Sequence, residues 1–226
     1  LPFLETQSIS PDTVTHVVVS HLDVDHSGDV GSVKALLPQA EIIAHRGDAE
    51  AISNWDAFLV QRGREFATGW GLDESPEAIN WMRDVFSPGP VDTVLTSEIS
   101  VDLGGNRIVD IWHVPGHSHG HLAVHDSVND TLAVSDAILG SSVPLADKTP
   151  SFPPTYRHVD AYLATIERVR KRQPETLLTA HYGDFHAEEV SAFLNESQLF
   201  VRRLDEAVKE VLGPEPQTLE EIVRQV

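Results

Sequence analysis

The chain has 226 residues, 41% of them hydrophobic, enough for one sizeable domain, and its 16 basic and 35 acidic side chains give a formal charge of −19. Such a surface repels nucleic acid and anionic membranes, which leaves a small molecule as the expected substrate. With no cysteine, disulfides, thiolate metal sites and a cysteine nucleophile are excluded.

Residues 1–13 carry Pro2 and Pro11 and read as a leading loop. Val14 to Ser20 reads as the first buried strand. It opens into His21-Leu22-Asp23-Val24-Asp25-His26-Ser27-Gly28-Asp29, which presents two imidazoles and two carboxylates within six residues. All four can bind a divalent ion. A solvated acidic turn explains the carboxylates but not two histidines alternating with them directly after a buried strand. Val30 to Leu37 has helical spacing and stops at Pro38, and Glu41 to Ala44 is a second strand. This strand–loop–helix–strand order points to α/β layering.

Residues 48–90 read as mostly helical, with breaks at Gly63, at Gly69 to Gly71 and at Ser75-Pro76. They are rich in aromatic side chains. Two readings stand: an ordinary helical subdomain with its own core, or an aromatic-lined lid over a site. On the second reading Trp70, flanked by two glycines, and Trp81 contact substrate.

From Val91 the pattern becomes β: Val91 to Leu95, Glu98 to Leu103 and Arg107 to Val114, with a hairpin turn at Gly104-Gly105-Asn106. A second histidine cluster follows, Gly116-His117-Ser118-His119-Gly120-His121. Leu122 to His125 and Thr131 to Val134 form another hairpin that ends in Ser135-Asp136. Residues 141–158 hold four prolines and read as a surface loop. Asp160 to Arg172 is a helix, Leu177 to Ala180 a strand ending at His181, and residues 187–211 a long helix. A terminal helix lies within 216–226, with Thr218 as N-cap and Glu221 at the capping-box position. No apolar run approaches the roughly 20 residues needed to cross a bilayer, and no secretory segment is seen. A cytoplasmic location and a single domain over 1–226 are expected. The oligomeric state stays open, a homodimer being one choice.

Four separate strands thus end in a potential ligand: His21 with its cluster, His117, Asp136 and His181. Strand-end loops are where rigid sheets display reactive groups. Here the chain resembles the metallo-β-lactamase-fold hydrolases. That family carries H-x-H-x-D-H after a strand, then a Gly-His loop, a strand-end Asp and a strand-end His, matched in order by His21 to His26, Gly116-His117, Asp136 and Ala180-His181. The resemblance implies an αββα sandwich, here with a helical insert at 48–90. It also implies that His21, Asp23 and His117 hold one metal, that Asp25, His26 and His181 hold another, and that Asp136 bridges them.

Two departures matter. Asp23 stands where the family has a second histidine. A harder, charged ligand moves preference from zinc toward iron or manganese, or weakens the first site; the flavodiiron branch of the fold has Glu there and binds iron. The motif also begins after fewer residues than the family usually places before it, so the first sheet is reduced or its other strands lie upstream of Leu1.

Two divalent ions, zinc first with iron or manganese as alternatives, can share a water, lower its pKa toward 7 and polarise a substrate oxygen. Asp25 would orient the resulting hydroxide or take its proton. Asp29 and Asp184 are candidates to steady the ligand histidines. His119 and His186 could donate to substrate. The expected reaction is hydrolysis of a carboxylic ester, lactone or thioester with an apolar portion, esters and lactones leading. A diiron oxidoreductase and a non-catalytic metal-binding or sensing protein are the alternatives.

Overall fold

The computed structural model describes residues 2–226. The leading segment is not all loop: it forms a short helix α1 (Pro2–Thr6) and a 3-10 turn at Pro11–Thr13, proline standing at the start of each, where a missing N–H costs nothing. Strand β1 (His16–Val18) is shorter than expected because Val14 closes the 3-10 turn, its N–H donating to the Pro11 carbonyl. Then come α2 (Val24–Ser27), α3 (Val30–Leu36) and β2 (Glu41–His45).

The helical region consists of α4 (Ala49–Ser53), α5 (Trp55–Phe58), a π turn (Leu59–Gly63), α6 (Ala67–Trp70) and α7 (Pro76–Val85). Its breaks follow local chemistry. Asn54 and Ser75 accept from the N–H groups of Ala57 and Ala78 as N-caps, and Gly71 ends α6 in the left-handed conformation at φ +70°.

The remainder is β3 (Thr93–Leu95), β4 (Ile99–Asp102), β5 (Ile108–His113), β6 (Leu122–Asp126), β7 (Thr131–Ser135), β8 (Val143–Pro144), β9 (Pro150–Phe152), α8 (Val159–Arg172), β10 (Thr176–Thr179), β11 (Asp184–His186), α9 (Glu188–Val211) and α10 (Leu219–Val223). The proline-rich segment is thus a small hairpin, β8–β9, rather than bare loop. Thr218 and Glu221 form the expected capping box.

Three parallel strands form one sheet, in order β1-β2-β3. Six form the other, in order β11-β10-β7-β6-β5-β4. Period-two alternation sorts their side chains. Ile42 and Ala44 of β2 pack under α3 and the helical insert with Val30, Ile52, Phe58 and Met82. Ile43 between them turns the other way and meets Leu95, Ile111 and Leu122, the core between the two sheets. On the far side Leu132, Val134 and Leu177 pack against Tyr162, Ile166 and Val169 of α8 and Phe193 and Leu194 of α9. The order helix, sheet, sheet, helix is an αββα sandwich.

Strand direction then places the site. β5 and β7 are both antiparallel to β6, and β10 is parallel to β7. These three strands therefore run the same way, and their C-terminal ends open at one edge. A register shift pairs Leu178 with Ala133 but Thr179 with Ser135. Ser135 adopts φ +50°, and this bulge re-aims the chain one residue before Asp136.

Gly116 sits in the left-handed half of the map at φ +143°, and a Cβ there would lie 2.5 Å from the Cα of Tyr162. Tyr162 cannot yield: it is fully buried, and its hydroxyl donates to the Leu139 carbonyl at 2.8 Å while accepting from the Leu139 N–H at 2.9 Å. Gly116→Ala is expected to cost about 3 kcal/mol, a fall in Tm on the order of 10 °C by thermal melt. An unchanged melt would mean that the loop before His117 has another route past α8.

Candidate metal centre

The loop and helix α2 after β1 supply His21, Asp23, Asp25 and His26. The turn after β5 supplies His117, the bulged end of β7 supplies Asp136, and the end of β10 supplies His181. The fold brings all seven together in two separate trios joined by a third group that draws on both. Among the described residues the groups whose ligand atoms all lie within 4.8 Å of one another are His21, Asp23 and His117; Asp25, His26 and His181; and His21, His26 and Asp136. Asp23 Oδ2 is 3.3 Å from His117 Nε2 and 4.0 Å from His21 Nε2. Asp25 Oδ2 is 3.4 Å from His26 Nε2 and 3.7 Å from His181 Nε2. Asp136 Oδ2 stands between, 3.1 Å from His181 Nε2, 3.2 Å from His26 Nε2 and 3.9 Å from His21 Nε2.

These residues fit metal ions. Donors about 2.0–2.2 Å from a tetrahedral ion are separated from each other by about 3.3–3.6 Å, within the range seen here. The Nε2 atoms of His21, His26 and His117 and Oδ1 of Asp136 are buried without a hydrogen-bond partner, a costly arrangement unless something else satisfies them. Their other ring nitrogens are held. Nδ1 of His117 faces the Thr155 carbonyl at 2.7 Å, that of His21 the Ser20 hydroxyl at 3.1 Å, and that of His26 the Ser135 hydroxyl at 3.3 Å. These partners fix the rings with Nε2 pointing inward. Asp29 and Asp184, the acceptors expected from sequence, do not take this role. Asp184 pairs instead with His186.

The trios differ electrostatically. Burial and the neighbouring His121 and His117 rings push His21 well below its usual range, so its ring is neutral. Burial opposes ionisation of Asp23, but the His117 contact and the Arg62 charge outweigh it and hold the carboxyl well below normal. In the second trio burial works against protonation of His26, yet its contacts with Asp136 and Asp25 push it up to about 10. His181 is raised chiefly by its contact with Asp136.

The profile of the Metallo-beta-lactamase superfamily matches residues 2–181. The chain belongs to that superfamily. Among its curated relatives, the acyl-coenzyme A thioesterase MBLAC2 of Homo sapiens is 28% identical over 180 residues and that of Gallus gallus 27% identical over 179. Each alignment covers 76% of this chain but 57% of the relative, so the chain spans little more than half their length. Among solved structures, a metallo-beta-lactamase family protein from Thermus thermophilus aligns at TM-score 0.72 and 18% identity over 98% of this chain and 71% of that one. A beta-lactamase domain protein from Burkholderia ambifaria gives TM-score 0.66 and 18% identity over 94% and 61%. At such identity the likeness establishes the fold.

Within this superfamily member, a cleft of about 480 Å³ lies over the ligand cluster, with Asp25, Arg62, Leu139, Val143, Phe152 and His181 on its walls. Trp70 and Trp81, expected as pocket residues, do not line it: they are 61% and 56% exposed. On α7 the inward stripe is Ile79, Met82 and then Phe86, and Trp81 falls off that stripe toward solvent. The insert's contribution to the cleft is Arg62. His119 lies elsewhere, its ring centroid 3.9 Å from that of His158, and His186 is an exposed partner of Asp184.

Two residues the sequence did not single out shape the centre. Arg62 Nε donates to Asp23 Oδ1 at 2.7 Å. Asp48, 1% exposed, accepts from Ser118 Oγ at 2.6 Å, the Gly120 N–H at 2.7 Å and the Leu22 N–H at 3.2 Å. It ties the β1 loop to the β5 loop, so the ligand loops of the two sheets share one buried carboxylate.

Proposed function

We propose that the chain is a metal-dependent thioester hydrolase that holds two divalent ions, zinc before iron or manganese. The observation that carries this reading is the convergence of His21, His26 and His117 Nε2 on Asp136 and Asp23 with no other partner. The likeness to relatives named as thioesterases supports thioesters over carboxylic esters and lactones.

When bound, the two ions would lower the pKa of a water between them and polarise the substrate carbonyl. The chain's residues do the rest. His21, Asp23 and His117 would hold one ion and Asp25, His26 and His181 the other, with Asp136 shared. Asp25, the most exposed of the carboxylates, stands at the cleft and is positioned to hold or take the proton of an attacking water. Val143, Pro144 and Phe152 give the cleft an apolar wall. A neighbouring groove of about 570 Å³ shares His181 and Pro144 and is lined by Tyr182, Phe185 and Phe193. This surface, rather than the aromatic insert, suits the apolar part of a small acyl substrate.

Elemental analysis of protein purified without added metal should give two ions per chain. The same sample should hydrolyse acyl-coenzyme A thioesters faster than lactones or aryl esters, lose activity to chelator and regain it with the metal found. Two ions with oxygen consumption and no hydrolysis would point to the oxidoreductase reading; one ion and no turnover to a binding or sensing role.

A further inference from the structure

Asp23 divides its two oxygens. Oδ2 faces the Nε2 atoms of His117 and His21, while Oδ1 accepts from Arg62 Nε at 2.7 Å. Arg157 also approaches Oδ1, at 3.7 Å, but it is engaged by Glu65 Oε2 at 2.7 Å and by the His117 carbonyl at 2.5 Å. Among the described residues Arg62 pairs with no carboxylate except Asp23. Arg62 sits on the π turn Leu59–Gly63, a widened turn of the kind that recurs at functional sites.

We propose that Arg62 is a positioning residue that makes Asp23 act as a one-toothed, charge-compensated ligand in place of an imidazole. It occupies Oδ1, so that Oδ2 alone faces the first metal. It also returns the positive charge that a carboxylate otherwise removes from the trio. Guanidinium–carboxylate contacts of this length are among the stronger hydrogen bonds, and both partners are largely withdrawn from solvent, where screening is weak. The net charge of the first ligand set, with Arg62 counted, equals that of three histidines. The inference rests on the metal-centre reading.

One consequence runs against the motif. Asp23→His, the change that restores the family pattern, leaves Arg62 as an unpaired cation beside a dication and is expected to damage the site. The test is a cycle of Asp23→His, Arg62→Gln and the double variant, with Arg62→Lys as the conservative control and thermal melts to confirm folding. Metal affinity is read by chelator competition, independently of turnover. Asp23→His should lose first-site affinity by about tenfold or more, and adding Arg62→Gln should recover most of it. Arg62→Gln alone should keep metal but move the acid limb of the kcat profile upward by about one pH unit, and Arg62→Lys should move it part of the way back.

An additive cycle, or an acid limb unmoved in Arg62→Gln, overturns the role of Arg62 even where the parent protein holds two ions. A parent that holds no ion overturns the metal-centre reading and this inference with it. Two ions in the parent with a strongly non-additive cycle support both.

Discussion

Asp136→Ala is expected to abolish the proposed hydrolysis, with kcat/KM falling on the order of 10³-fold or more, and to lower the metal content of the purified protein. The reason is its place between the trios. Its Oδ2 lies within 3.1 to 3.9 Å of three imidazole nitrogens, and burial alone would raise the carboxyl above its usual range. The contacts with His181 and His26 reverse that and hold it ionised. Removing it takes away the carboxylate that those rings share, leaving His26 and His181 only Asp25 as a counter-charge, and two bound ions would lose the group between them. His181→Ala is expected to behave alike, since its ring is the donor that the six-stranded sheet would lend to an ion at the second trio. Either variant retaining two ions per chain and the parent rate would exclude the dinuclear assignment.

The second large effect is on metal loading and stability. In the first trio burial and its neighbours keep His21 neutral, and Asp23 is held ionised. In the metal-free protein His26 keeps its proton up to about 10 and His181 is raised as well, so an ion entering the second trio displaces protons. Its apparent affinity should rise with pH by about tenfold per unit for each proton displaced, more steeply than that of an ion at the first trio, where His21 is already neutral and Asp23 ionised. Calorimetric titration in buffers of different ionisation enthalpy separates the two events. Equal proton release in both would contradict the asymmetry.

The sign for the metal-free protein follows from the same groups. His26 is raised in the folded state from 6.5 to about 10, so its ion pair stabilises fully below 6.5 and is lost as pH climbs through 10. Asp136 is lowered from 3.8, so its contribution is present above that value and is lost in acid. The stripped protein should therefore be most stable between about pH 4 and 6.5. The loaded protein exchanges protons for ions and should not decline over the alkaline range. Two ions at about 1,000 times their dissociation constants contribute about 8 kcal/mol, a gap in Tm on the order of 20 °C that widens from pH 6 to 9.

The side chains that converge in the two trios were legible in the sequence because most of the donors are local there. Four donors crowd into His21 to His26, and the others each follow a strand that its apolar run announces. Relative strand direction, which gathers them at one edge, follows from β-pairing that no single segment displays. Arg62 and Asp48 were not legible. Each acts on residues far away along the chain, Arg62 on Asp23 and Asp48 on Ser118 and Gly120, and a charged residue in a helical stretch carries no mark of its distant partner. The aromatic insert misled for a related reason. Composition counts rings, but only the stripe of Ile79, Met82 and Phe86 tells which face of α7 turns inward. The β8–β9 hairpin escaped notice because prolines mark loops and edge strands alike.

Each trio draws on both sheets. His21 and Asp23 come from the end of β1 and His117 from the end of β5; Asp25 and His26 come from α2 and His181 from the end of β10. A chain without cysteine would thus gain from bound ions what secreted proteins gain from disulfides. Coordination would close loops of roughly 100 and roughly 150 residues, each closure lowering the entropy of the unfolded chain by an equivalent of about 4–5 kcal/mol. Unlike a disulfide, such a tie opens with metal supply rather than with redox state. Chelation should release the seam between the sheets first, so amide exchange and proteolysis would begin there, and a metal-starved cell would clear this protein before it merely idled.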